Sequence, residues 1–405
     1  MQTYLVGGAV RDRLLGLPVT ERDYLVVGAT PEQLLQQGFR QVGRDFPIFI
    51  HPQDGSEYAL ARTASGSRQT LAAPLAHPGV TLEEDLSRRD LTINAMAESD
   101  DGELIDPFGG RRDLEQRVLR HISPAFAEDP IRVLRVARFM ARFASLGFRI
   151  AGETRELMRS MVDAGQLNEL VPERVWQELD KALGEPNPVP FFAALREVGA
   201  LARLLPELDS LWGVPQPERW HPEIDTGVHT MMVLAQAARL SDEQSIRFAA
   251  LTHDLGKAST PAHILPSHHG HEERGVAILR ALCRRLRVPT RYQELAECCG
   301  RYHSQLHHLD ELKATTRLKL LERLDAFRRP QRLEAFLLVC EADFRGRAGF
   351  EQRTYPQADR LRRLYRAAAS VDSSQLPKWV SGKAMGDAMR RLRLEVMRRV
   401  DREVS

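Results

Sequence analysis

The sequence predicts an α+β fold, with a strand-bearing head over residues 1–112 followed by helices alone. Three observations carry this expectation. Nearly all the short β-branched or aromatic runs bounded by Gly, Pro or Asp lie before Asp113. Beyond it, apolar residues recur at helical spacing in one segment after another, each stopped by Gly or Pro. At 405 residues, finally, the chain exceeds what one ordinary core holds.

In chain order, TYLVGG, DYLVVG, FPIFIH, EYALAR and GELIDPFGG read as strands, with VRDRLLGL and PEQLLQQG as helices between them. From Asp113 the text is helical: DPIRVLRVARFMARFASLG, TRELMRSMVDAGQL, PERVWQELDKAL and VPFFAALREVGAL form a neck over 113–212. WGVPQPERWHPEID, Trp212 to Asp225, is proline-rich and reads as a linker into a further domain. That domain, over 213–345, holds most of the histidines, and an arginine-rich helical tail covers 346–405. No short-period repeat of the solenoid kind is present.

Hydrophobic residues at 43% with 28% charged exclude a disordered chain. No apolar stretch approaches the roughly 20 residues that span a bilayer. MQTYLVGGAV lacks the basic and apolar regions of a signal peptide, so no membrane partner is expected. Cys283, Cys298, Cys299 and Cys340 show no CxxC spacing and suggest free thiols in the cytoplasm. The net charge of +2 is nearly neutral, but arginines cluster in particular helices, as phosphate-rich ligands require.

In the head, Gly7 and Gly8 let backbone amides approach an anion, with Arg11 one turn into the next helix. In a strand, residues i and i+2 share a face, so Glu21 and Asp23 are expected to project together. They are either a solvated strand face or a seat for Mg²⁺, which takes few protein oxygens and shares the rest of its octahedron with phosphates.

GGAVRDRLLG, RRDLTINAMA (Arg88 to Ala97) and EDPIRVLRVARF (Glu128 to Phe139) resemble motifs of the class II CCA-adding tRNA nucleotidyltransferases. The resemblance covers nearly the whole chain and is nearest to the bacterial multifunctional CCA proteins. It implies a polymerase-β-like nucleotidyltransferase head, then an all-helical neck, an HD domain and a tail. It implies Glu21 and Asp23 as catalytic Mg²⁺ ligands, and Gly8, Arg11, Arg89, Arg135 and Arg138 as the ATP- and CTP-binding residues. Partners implied are tRNA, CTP and ATP, bound by a monomer or homodimer.

The base-reading role of EDPIRVLRVARF has a physical form. Asp129 and Pro130 suit a helix N-terminus. Arg132, Arg135, Arg138 and Arg142 fall on one side of that helix, opposite Val133, Leu134, Val136, Ala137 and Met140. An aspartate accepts from an exocyclic amine while an arginine donates to the adjacent ring nitrogen. Asp129 and Arg132 would so admit C and A while rejecting G and U.

Two departures from the family pattern stand out. The family's first carboxylate is Asp, where this chain has Glu21. The loop ASGSRQTLAAPLAHPG, residues 64–79, is shorter and lacks the family's aromatics. A CC-adding or A-adding relative, or an impaired tRNA-binding head, therefore stays open. Glu57, in the EYALAR strand, is either a third acidic residue or a solvated strand charge.

His229, His253, Asp254 and Asp343 follow the order of an HD domain's metal ligands. Imidazole with carboxylate suits a divalent transition metal, Ni²⁺ or Mn²⁺, better than a thiolate zinc site. The resemblance implies phosphatase, 2′-nucleotidase and 2′,3′-cyclic phosphodiesterase activities. His268, His269, His271 and His303 either line the mouth of that site or are plain surface residues, the surface being the preferred expectation. The neck segment PERVWQEL and the tail segment RRLRLEVMRRVDRE offer basic helices for tRNA, read by A-form shape and phosphate.

Overall fold

The computed structural model describes residues 1–42, 48–62, 77–376 and 382–404. They form two compact units, Met1–Leu170 and Val171–Ser405. No helix among the described residues is long and apolar enough to cross a membrane.

The first unit is built on a sheet of β1 (Gln2–Val6), β2 (Asp23–Val27), β3 (Arg40–Val42), β4 (Ile48–Ile50), β5 (Glu57–Leu60), β6 (Ala97–Ser99) and β7 (Leu104–Ile105). Their order is β3-β4-β5-β2-β1-β6-β7. Neighbours are antiparallel except β2 and β5, which run parallel. Because side chains alternate across a strand, Leu25 joins Val6, Val80, Leu86 and Ala97 in one core layer. Its neighbour Val26 joins Leu34, Phe49 and Leu60 in another. The five expected strands are present, although residues 43–47 of the FPIFIH region and most of the loop at 64–79 lie outside the described residues. β3 and β6 add rungs without a hydrophobic signature: RQV is exposed throughout and AES carries two polar residues.

Helices of this unit are α1 (Gly8–Leu14), α2 (Pro31–Gln36), α3 (Leu82–Leu86), α4 (Gly110–Glu115), α5 (Ile131–Phe143) and α6 (Gly152–Asp163). Capping boxes open α2 and α3, where Thr30 pairs with Gln33 and Thr81 with Glu84. A short parallel pair, β8 (Val118–Leu119) and β9 (Arg149–Ile150), flanks α5.

The second unit is helical. It contains α7 (Pro172–Gly184), α8 (Val189–Glu197), α9 (Ala200–Leu204), α10 (Pro206–Asp209), α11 (Thr226–Leu240), α12 (Gln244–Thr252), α13 (His271–Leu286), α14 (Thr290–His307), α15 (Ala314–Arg323), α16 (Pro330–Arg345), α17 (Pro356–Ala369) and α18 (Gly382–Val404). α11 packs on α12 and α16, and α14 packs on α12, α13 and α16.

Three expectations about organisation change here. The neck over 113–212 is divided between the units. Arg135 and Arg142 of α5 pair with Asp90 and Asp12, which ties that helix to the head. Trp176 of α7 packs edge-on against Phe248 and Tyr292, which ties α7 to the second unit. The segment Trp212 to Asp225 is no free linker: Gln216 N donates to Ile224 O at 2.7 Å, and Asp225 accepts from Gly213 N. The tail packs on the second unit, with Met397 buried and Asp401 of α18 receiving Arg317 and Arg360.

Candidate active sites

In the head, β1 ends at Val6, whose rung partner is Asp23, and Asp23 is in register with Glu57 across the parallel β2–β5 ladder. Residues paired in register share a sheet face, so Asp23 and Glu57 emerge side by side, both exposed. Glu21 does not share the strand as expected. Val6–Asp23 is the last rung because the chain leaves β1 for α1 at Gly7, and residues before Asp23 have no partner strand. Glu21 still lies close in charge. Desolvation pushes the Asp23 carboxyl up, the Arg89 guanidinium pulls it down, and the Glu21 carboxylate pushes it up again. This set of hard oxygen donors fits Mg²⁺.

The glycine turn completes the mouth. Gly7 has φ +66°, and a Cβ there would stand 2.7 Å from the Arg89 guanidinium. Only glycine permits both the left-handed backbone and that approach. Gly8 begins α1. Arg89 is half-buried and held by Asn94 O at 3.4 Å and Asp85 at 3.5 Å. Arg11 is buried instead of facing a ligand. Its guanidinium donates to Asp12 at 2.8 Å and to Asn94 Oδ1 at 2.5 Å, and it packs over Phe139 and Phe143.

RRDLTINAMA acts as a knot between α1 and α5. Asp90 accepts from Asn94 Nδ2 at 2.9 Å and from Arg135 Nε at 2.7 Å. Burial would raise the Asp90 carboxyl, but Arg135 and these hydrogen bonds hold it below its ordinary value. Thr92 donates to Asp113, which also receives Arg120. The arginine side of α5 is accordingly turned toward protein. Arg132 donates to the carbonyls of Ala125 and Arg88, Arg142 to Asp12, and Arg138 is buried with its guanidinium 4.8 Å from the Phe139 ring centre. Buried Asp12 and Asp90 are the counter-charges that draw the stripe inward. Asp129, half-buried, accepts from Ile131 N at 3.3 Å, two residues before α5 begins.

In the second unit the four expected ligands converge. His229 comes from α11, His253 and Asp254 follow α12, and Asp343 lies near the end of α16, all buried. His229 Nε2 stands 3.1 Å from Asp343 Oδ1, and His253 Nε2 stands 3.1 Å from Asp254 Oδ2 and 3.7 Å from Asp343 Oδ1. His253 Nδ1 donates to Ala250 O at 2.7 Å, which turns Nε2 toward the carboxylates. Burial works against a charge on His253, yet Asp254 and Asp343 raise it to about 9. Asp254 Oδ1 is buried without a hydrogen bond. Such a seat of carboxylates and imidazoles fits a divalent cation.

The surface placement of the other histidines holds for His269 alone. His268 and His303 are buried and His271 is half-buried. Helix packing explains this. Gly256 lies so close to α13 that a Cβ would stand 1.9 Å from His271 O, and the approach brings His271 to Asp254. Burial pushes His303 down to about 3, so its imidazole is neutral. His307, Lys257, His221 and Glu223 also belong to the site and escaped the sequence reading. Lys257 Nζ contacts Asp254 at 2.7 Å, His307 Nε2 contacts Asp343 Oδ2 at 2.7 Å, and Glu223 lies between His221 and His229. The signal for one of them was present: His303 and His307 are four apart on α14 and share a face. A cavity of about 480 Å³ opens over this cluster, lined by Arg219, Trp220, Lys257, Phe344, Arg347 and Phe350 among others.

The comparisons agree with both halves. Residues 3–120 match the Poly A polymerase head domain, residues 147–211 the probable RNA and SrmB-binding site of polymerase A, and residues 226–329 the HD domain. Among solved structures, a CCA-adding enzyme in apo form II shares the fold with TM-score 0.65 at 19% identity, over 98% of this chain and 88% of that one. A CCA-adding enzyme with ATP does so with TM-score 0.64 at 20% identity, over 98% and 86%. The multifunctional CCA protein of Thioalkalivibrio sulfidiphilus is 61% identical over 100% of this chain and 99% of its own. That of Methylococcus capsulatus is 60% identical over 99% and 95%. With relatives this similar along its whole length, the chain belongs to the multifunctional CCA protein family.

Proposed function

We propose that this chain adds and repairs the 3′-terminal CCA of tRNA without a nucleic-acid template, using CTP and ATP, and that its HD unit is a metal-dependent phosphohydrolase. The observation that carries the first half is the meeting of Asp23, Glu57 and Arg89 at the glycine turn of Gly7 and Gly8. Asp23 and Glu21 would hold Mg²⁺, with Glu57 beside them. When bound, Mg²⁺ would activate the tRNA 3′-hydroxyl and neutralise charge on the departing pyrophosphate. Arg89 reaches the same mouth as a cation for the triphosphate. Arg135, tied to Asp90, and buried Arg138, over Phe139, would brace α5 behind the nucleotide, and Arg11 positions α1 against that helix. Asp129 and Arg132 read the base edge, with Arg132 fixed in direction by two backbone carbonyls.

For the HD unit, His229, His253, Asp254 and Asp343 would hold a divalent ion, Ni²⁺ or Mn²⁺, which when bound would activate water for attack on phosphorus. Arg219, Lys257 and Arg347 give the cavity the positive charge that a phosphoester needs, and Trp220, Phe344 and Phe350 give it faces for a base. A 2′-phosphate, a 2′,3′-cyclic phosphate or a simple phosphomonoester fits that description.

The test is incubation of the full-length chain with tRNA transcripts ending at the discriminator base, at C and at CC, each with single nucleotides and Mg²⁺. Addition of two C residues and then A is expected. Addition of C alone, or of A alone, would replace this reading with a CC-adding or A-adding relative. No addition with retained phosphoester hydrolysis would make the head a tRNA-binding module.

A further inference from the structure

Asn94 joins three parts of the head that nucleotide addition would use: α1, Arg89 and α5. It is buried in the short helical turn Thr92–Asn94. An asparagine amide carries an acceptor oxygen and a donor nitrogen on one carbon. Here Oδ1 accepts from Arg11 Nη1 at 2.5 Å, and Nδ2 donates to Asp90 Oδ1 at 2.9 Å. Asp90 Oδ2 in turn receives Arg135 Nε at 2.7 Å, so the chain of bonds runs on into α5. From its other end Arg11 donates to Asp12, which also receives Arg142 of α5 at 2.8 Å. Aspartate would offer this place two acceptors, and leucine neither group.

The backbone of the same residue serves the third part. Asn94 O accepts from Arg89 Nη1 at 3.4 Å, and it stands 3.6 Å from where a Cβ on Gly7 would lie. The Arg89 guanidinium occupies the space that this glycine leaves open. Both side-chain bonds of Asn94 are buried and reach a charged partner, the stronger class of hydrogen bond, so they hold the residue in one orientation. Its carbonyl is bonded to the Cα so anchored, and the carbonyl places Arg89.

We propose that Asn94 is a positioning residue for the incoming nucleotide, coupling Arg89, the cation for the triphosphate, to α5, the helix behind the base. This deepens the nucleotidyltransferase reading and rests on it. One buried residue then sets the separation between the two ends of the nucleotide site. Asn94→Asp keeps the size of the side chain but turns a second carboxylate toward Asp90. The two repel, and Asp90 shifts from Arg135. The exchange Asp90→Asn/Asn94→Asp reverses that fault. The amide then donates from position 90, the carboxylate at position 94 accepts from Arg11, and Arg135 keeps an oxygen to bond.

The experiment compares the parent, Asn94→Asp and the exchange as full-length chains, adding CMP to tRNA in Mg²⁺ with CTP and tRNA varied in turn. Circular dichroism checks the fold of each. Asn94→Asp should raise KM for CTP by about tenfold or more, while KM for tRNA stays within about twofold. The exchange should return KM for CTP to within about threefold of the parent. A residue of the fold alone would lower the yield of folded chain and leave its KM for CTP unchanged. Folded Asn94→Asp with the parent's KM for CTP would therefore overturn the coupling. So would an exchange that leaves this KM raised, or failure of both variants to fold. No CMP addition by the parent would overturn the nucleotidyltransferase reading itself, and this inference with it.

Discussion

Asp23 and Glu57 are partners in register on the parallel strands β2 and β5, so two carboxylates from separate parts of the sequence emerge together at one end of the head sheet. Glu21 stands two residues before the strand, yet its charge raises the Asp23 carboxyl. If all three serve Mg²⁺, Glu21→Gln should lose nearly all CMP addition, on the order of a hundredfold or more, because an amide lacks the anionic oxygen the ion prefers. Glu57→Gln should lower the rate as well, and Mn²⁺ should recover more activity than Mg²⁺ in both variants. Measuring CMP incorporation in each metal checks this; wild-type rates in Mg²⁺ for Glu21→Gln would leave Asp23 as the ligand without it.

Gly7 carries a positive φ and the guanidinium of Arg89 fills the place of its side chain. Gly7→Ala should therefore displace Arg89 and strain the turn, at about 1–3 kcal/mol. A roughly tenfold or greater rise in KM for CTP and ATP is expected, with the KM for tRNA less affected. Steady-state kinetics with each substrate varied in turn separates the two.

Asp129 sits half-buried just ahead of α5, beside the fixed guanidinium of Arg132. As a base-edge acceptor, its removal in Asp129→Ala should reduce discrimination against GTP and UTP by about ten- to a hundredfold, with triphosphate affinity changing less. Competition assays with paired nucleotides measure it. Undiminished exclusion of G and U would reassign the base reading to another residue.

Asp90 is buried and held ionised by Arg135 and by Asn94. Its folded pKa lies below its ordinary value, so its contribution to stability is fully present above about pH 4 and is lost as the pH falls through the lower folded value. Asp90→Asn should cost about 1.5–3 kcal/mol at pH 7, and the gap to the wild type should close in acid. Denaturant unfolding at several pH values tests the sign; a gap that widens in acid would contradict it.

The five expected strands and the convergence of His229, His253, Asp254 and Asp343 were legible because each rests on a local pattern or a fixed chain order. Other features depended on pairing across the sequence. Glu57 gains its meaning from register with Asp23, which no local pattern encodes. The arginines of α5 read as a free stripe because their partners Asp12 and Asp90 are far away in the chain. His271 and His303 looked like surface polar residues because the close packing of Gly256 on α13 and the burial of α14 are tertiary facts. Glu21 illustrates the opposite error. A period of two assigned it to a strand that the end of β1 leaves without a partner.

The central claim is that nucleotide addition belongs to the head carboxylates and phosphoester hydrolysis to the HD cluster, two separate chemistries in one chain. Single-turnover incorporation of CMP into tRNA ending at the discriminator base, by the wild type, Asp23→Asn and Asp254→Asn, tests it most directly. Asp23→Asn should lose addition by about a thousandfold or more, equivalent to about 4 kcal/mol of transition-state stabilisation, while still binding tRNA. Asp254→Asn should add CMP within about twofold of the wild type and lose phosphoester hydrolysis. Addition at the wild-type rate by Asp23→Asn, or parallel loss of both activities in a folded Asp254→Asn, would contradict the account.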